Sequence, residues 1–205
     1  MADRMLLWRS DRNSVSLAAS SQRYNVPAAN LQESTALMDF FEVVKQRQSV
    51  RKYTPQLLEA DKLNAILQAA NCAPSAGNFQ SYELYVVRGG EQREALAAAA
   101  HAQDFIAQAP VSLVFCMNPS RCEYSPAETF ALEDATIACT FSMMAATALG
   151  LASCWIGAFD LDKVAAIVRC KKGVTPIAIL PIGYADEQPE RTARRKLDDL
   201  IHWVS

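Results

Sequence analysis

Apolar positions in the first clearly periodic stretch, Leu37, Phe40, Phe41 and Val44, follow the i, i+3, i+4, i+7 stripe of an amphipathic helix. That helix should end near the polar segment Lys45 to Arg51, and Thr54 before Pro55 predicts an extended continuation. Leu63, Ile66, Leu67 and Ala70 repeat the stripe and stop before Cys72-Ala73-Pro74. A loop from Pro74 to Asn78 leads to a strand, Glu83 to Val87, closed by Gly89-Gly90, and an Ala-rich helix follows over 91–101. Val111 to Met117 is an unbroken apolar run between Pro110 and Pro119, the pattern of a buried strand. Residues 118–127, with two prolines, read as a surface loop that could border a pocket.

The longest helix spans Glu128 to Leu149, with Gly150 as its stop. It is apolar or small on nearly every side, so in a chain this short a partner subunit should share in covering it. A strand (Ala152 to Ala158), a short helix with Asp160 as N-cap and a strand (Thr175 to Ile182) complete the pattern. The polar, Arg-rich tail 186–205 ends in Leu200-Ile201-His202-Trp203-Val204, which should dock on something.

Residues 1–36 show no sustained period and are expected to be a disordered extension, or absent from the cellular protein, with the folded domain over 37–205. Half the residues are hydrophobic (51%), and 20 basic side chains nearly balance 22 acidic ones, which argues against a disordered chain and a polybasic nucleic-acid binder. No apolar run reaches the roughly 18 residues of a membrane span, and Met5 to Leu7 is too short for a secretory core. Six cysteines without a C-x-x-C pair suggest a reduced, cytoplasmic protein with no cysteine-held metal, and two remote histidines leave no His-rich metal site. The G-x-S-x-G of a serine hydrolase is missing too. The chemistry should therefore be carried by something bound rather than by a side-chain nucleophile.

Arg47, Ser49 and Arg51 alternate with Gln48 and Val50, so an extended backbone would aim two guanidinium forks and a hydroxyl the same way. Such a set suits a phosphate monoester, although a solvated basic helix end has the same composition. Pro74, Ser75 and Asn78 lie in a loop whose short donors could hold a polar ring, or could simply make a turn. Gly157 and Ala158, after Trp155-Ile156, would let backbone amides approach a flat ligand closely, while a buried strand explains most of their neighbours. Arg191, Arg194 and Arg195 read as a solvated charge run that the docking tail could fold back towards the first cradle. Glu133 and Asp134 read as partners of a helix dipole.

Five blocks in this order and spacing resemble the FMN-dependent nitroreductase family: Arg47-Gln48-Ser49-Val50-Arg51-Lys52-Tyr53, Ala73 to Gln80, Glu133-Asp134 with Ala146 to Leu151, Cys154-Trp155-Ile156-Gly157, and Leu180 to Tyr184. The resemblance runs from about Met38 to the end. It implies an α+β fold, a three-layer α/β/α sandwich with a central, mostly antiparallel sheet, assembled as a two-fold homodimer with FMN at the subunit interface. It implies that Arg47, Ser49, Arg51 and one of Arg194 and Arg195 hold the FMN phosphate. Pro74, Ser75 and Asn78 would line the flavin ring, and the amides of Gly157 and Ala158 would face its N5 and O4 edge. The implied activity is ping-pong transfer of hydride from NADH or NADPH to a nitroaromatic, quinone or similar small acceptor. Specialised relatives (dehalogenase, azoline oxidase, dimethylbenzimidazole synthase) and a flavin store or sensor without turnover remain alternatives. Two departures stand out: Gln48 where many members carry a second Arg, and Ser81 where a Pro usually follows Gln80.

Overall fold

The computed structural model describes residues 38–204, and the expectations for residues 1–36 lie outside the described residues. Four strands form one sheet in the order β1-β2-β4-β3, each pair antiparallel: β1 (Tyr82–Val87), β2 (Val111–Met117), β3 (Ala152–Ser153) and β4 (Thr175–Gly183). Alternation along the two central strands builds two cores. Leu113 and Phe115 of β2 with Ala178, Leu180 and Ile182 of β4 pack against α2 (Ala60–Asn71) and α5 (Ala127–Ala148). Val114, Cys116 and Ile179 point the other way, onto α3 (Gly90–Ala99), α4 (Phe105–Gln108) and α6 (Leu161–Ile167). The result is the expected three-layer α/β/α sandwich.

Local signals place most element ends. Asp39 caps α1 (Phe40–Gln46) by accepting the Phe41 amide at 2.9 Å, and Asp160 caps α6 by accepting that of Lys163 at 3.1 Å. Gly150, with φ of 72°, ends α5, and the Leu151 amide donates back to the Ala146 carbonyl at 2.9 Å. The short helix α4 is a single turn that carries too few residues to show a period in the sequence.

The strand expected over Ala152 to Ala158 is much shorter. Its register against β4 pairs Ala152 with Gly183, Ser153 with Ile182 and, by a lone bridge, Ile156 with Ile179. The position opposite Cys154 is therefore Pro181, which has no N–H to donate, and the ladder breaks there. The C-terminal end also departs from expectation: within one chain Trp203 and Val204 are almost fully exposed. Leu132 and Phe141 on α5, and Phe40 and Phe41 on α1, are exposed as well.

Candidate functional site

The residues after α1 run extended along the sheet edge. Ser49 bridges Ser153 in parallel, and the Val50 amide donates to the Ser153 carbonyl at 3.1 Å. Tyr53 is buried beneath, its hydroxyl donating to the carbonyls of Val50 (2.9 Å) and Pro181 (3.3 Å). Burial, above all, pushes that phenol far up, so it stays a neutral donor. Residues 184–187 zip onto 51–54: Thr54 donates to the Tyr184 carbonyl and Asp186 to the Lys52 carbonyl, both at 2.9 Å. The Lys52 ammonium meets the Asp186 carboxylate at 2.9 Å, and the Arg51 amide donates to Glu187. Asp186 is the main reason the Lys52 ammonium titrates above its ordinary value.

This zipper decides where the tail goes. Beyond Pro189 the chain closes one side of a cavity of about 440 Å³ whose other wall carries Arg47, Ser49 and Arg51. Arg191 and Arg194 line the tail side, and Lys45 adds a further cation against a single carboxylate, Glu190. Arg47, Ser49 and Arg51 thus line one cavity, and Gln48, which the alternation set apart from them, lines it too. Of the tail arginines, Arg194 reaches it, Arg195 does not line it, and Arg191, to which the resemblance gave no phosphate role, does. A larger cavity of about 890 Å³ shares Lys45, Arg47, Gln48, Pro189 and Arg191 with the first and extends towards Gly150 and Leu151. Cys154 lies buried close by; burial raises its thiol, and the Arg51 charge, a Ser49 hydrogen bond and the Arg47 charge partly offset that rise.

Pro74, Ser75 and Asn78 line neither cavity, and neither do Gly157 and Ala158. Asn78 is exposed in a tight turn where Gly77, Asn78 and Gln80 all take positive φ (54°, 59° and 50°). The turn is covered by the 118–126 loop, whose Tyr124 ring packs edge-on against Phe79 at 5.1 Å and whose Arg121 donates to the Gln80 carbonyl at 3.0 Å. Gly157 and Ala158 are exposed, and among the described residues neither amide has an acceptor. Their segment is held from the other side, since Gln103 donates to the Ala158 carbonyl and the Asp160 amide to that of Ala99. Asp134 is no dipole partner. It lies in the second turn of α5, almost wholly buried, and its two oxygens accept the amides of Ala76 (2.8 Å) and Ser81 (3.0 Å). Among the described residues no group of three or more His, Cys, Asp or Glu is placed to hold a metal, and no helix is long and apolar enough to cross a membrane.

The class of this molecule follows from an α/β/α sandwich with an arginine-lined cavity at one sheet edge and, further along the chain, exposed amides with no acceptor among the described residues. The Nitroreductase family pattern matches residues 44–103 and 98–184, and the chain belongs to that family. It is 33% identical over 156 residues, 74% of this chain and 80% of the relative, to a protein of Methanothermobacter thermautotrophicus named as a candidate NADH dehydrogenase/NAD(P)H nitroreductase. It is 28% identical over 181 residues, 78% of this chain and 73% of the relative, to the FMN reductase [NAD(P)H] of Bacillus subtilis. Among solved structures, a nitroreductase family protein from Clostridium novyi superposes with a TM-score of 0.69 at 28% identity, over 76% of this chain and 89% of the other. Bacillus megaterium NfrA2 superposes with a TM-score of 0.77 at 24% identity, over 82% and 75%, a likeness of fold.

Proposed function

We propose that this protein is an FMN-dependent NAD(P)H oxidoreductase that reduces nitroaromatic, quinone or similar small acceptors. The observation that carries the reading is the cavity in which Arg47, Ser49, Arg51, Arg191 and Arg194 converge. Guanidinium forks and a hydroxyl, opposed by one carboxylate, match the several oxygens and double charge of a phosphate monoester. FMN, when bound, supplies hydride chemistry at its flavin ring, accepting from a reduced nicotinamide and donating to the acceptor. The protein's part is then to grip the phosphate, to offer the open amides of Gly157 and Ala158 to a polar ring edge, and to shape the slot with Pro74, Ser75 and Asn78. None of these tasks needs a side chain that breaks a covalent bond.

In one chain the loop 74–78 stands apart from the arginine cavity, and α1, α5 and the tail leave Phe40, Phe41, Leu132, Phe141 and Trp203 exposed. Both facts support a two-fold homodimer in which each site draws on two chains and the tail finds its cover. Sedimentation should give a dimer at micromolar concentration.

Steady-state rates measured at varied NADH or NADPH and several fixed concentrations of a quinone or a nitroaromatic test the activity. Parallel double-reciprocal lines are expected of a cofactor that shuttles between two substrates, and intersecting lines would argue for a different kinetic order. FMN that binds but is never reduced would make the protein a flavin store. Arg194→Ala and Arg191→Ala should each weaken FMN binding about three- to tenfold, and Arg195→Ala should leave it within about twofold. Equal losses in all three would mean a diffuse field rather than a defined grip; flavin-fluorescence titration reads the difference.

A further inference from the structure

We infer that Asp134 is a positioning residue for the cofactor: from inside α5 it clasps both ends of the turn that carries Asn78 and so sets where that turn meets the flavin. The inference rests on the FMN reading above. Its ground is geometric. The Asp134 side chain is almost wholly buried, no salt bridge to it occurs among the described residues, and its two oxygens are taken by two backbone amides on either side of one turn, Ala76 and Ser81. A buried carboxylate costs too much to be kept without compensation, and here the compensation comes from the loop itself.

The turn needs such an anchor. Three of its residues, Gly77, Asn78 and Gln80, sit at positive φ, which glycine adopts freely, asparagine tolerates and glutamine resists. A chain left to itself would relax at Gln80. The Gln80 amide is also held, by the Ser75 hydroxyl at 3.1 Å, and the Ser81 carbonyl accepts from the Asn118 amide at 2.8 Å, so the clasp is part of a closed set of bonds. Ser81 matters in particular. A proline there would offer no N–H. Ser81 has one, with a buried carboxylate 3.0 Å away to receive it. The turn is thereby tied to the helix behind it.

The experiment compares wild-type protein, Asp134→Asn and Asp134→Glu, each stripped of flavin and titrated with FMN, with amide hydrogen exchange over residues 74–82 measured on the flavin-free proteins. In Asp134→Asn the new NH₂ faces an N–H donor, so one clasp is lost. FMN affinity should fall roughly 10- to 100-fold, exchange over the turn should quicken, and the visible circular dichroism of the saturated flavin should change, because Asn78 no longer holds one place. Wild-type affinity, exchange and flavin dichroism in Asp134→Asn would overturn the inference. Asp134→Glu keeps the charge and both oxygens but displaces them by a methylene; if Asp134→Asn fails to fold, this variant decides. A loss of about threefold or more in FMN affinity upholds the clasp, and an unchanged value overturns it. Wild-type protein that takes up no FMN would instead bring down the cofactor reading, an outcome visible before any variant is compared.

Discussion

Replacing Arg47 and Arg51 together with alanine is expected to weaken FMN binding by roughly 10²- to 10⁴-fold while leaving the fold nearly as stable as before. Both side chains project from an extended segment into the same cavity, and neither belongs to the buried core, so their removal subtracts charge and hydrogen bonds rather than packing. Each charge-assisted contact to a phosphate contributes about 1.5–3 kcal/mol, and two of them account for the predicted range. Arg191, Arg194 and Lys45 remain in the double variant, which is why some affinity should persist. That residual binding should fall with added salt, since it rests on the remaining charged contacts. A flavin-fluorescence titration of the double variant that matches the wild type would remove the phosphate assignment.

Gly183→Ala should destabilise the protein by about 2–3 kcal/mol, a drop of roughly 4–12 °C in Tm. A Cβ built at Gly183 would lie 2.6 Å from Cδ of Pro110 and 3.2 Å from Cδ1 of Tyr53. The proline ring cannot swing aside as a long side chain could, and Tyr53 is fixed by its two hydrogen bonds to Val50 and Pro181. The strain therefore passes to the segment 49–53, the backbone that aims Ser49 and Arg51. Beyond the thermal shift, this variant should lose about three- to tenfold in FMN affinity, although it alters no group that touches the phosphate. Differential scanning fluorimetry and the same titration read both effects. An unchanged Tm would mean that Tyr53 and Pro110 repack freely.

Much of the fold was legible because its signals are local. Val111 to Met117 is bounded as a strand by Pro110 before it and Pro119 after it, and the structure places β2 over those residues. Asp160 announces α6, and Gly150 ends α5. What failed depended on partners distant in sequence. Ala152 to Ala158 has the composition of a strand, yet its length is set by Pro181 on the facing strand, which no window around residue 154 contains. Likewise Arg47, Ser49 and Arg51 could be read together because extended backbone has a period of two. Which tail arginines join them could not be read, since Arg191 and Arg194 reach the cavity through the zipper that lays 184–187 on 51–54. Asp134 is the extreme case: its meaning lies in two amides, 58 and 53 positions away, and an acidic residue beside Glu133 on an otherwise apolar helix gives no sign of them.

Whether this protein holds FMN and passes hydride through it is tested most directly by the visible spectrum of the FMN-reconstituted protein, recorded without oxygen before and after adding NADH or NADPH. The expected result is a retained yellow flavin whose absorbance near the blue end bleaches with at least one of the two nicotinamides and returns when a quinone is supplied. A protein that stays colourless after incubation with FMN and gel filtration would contradict it.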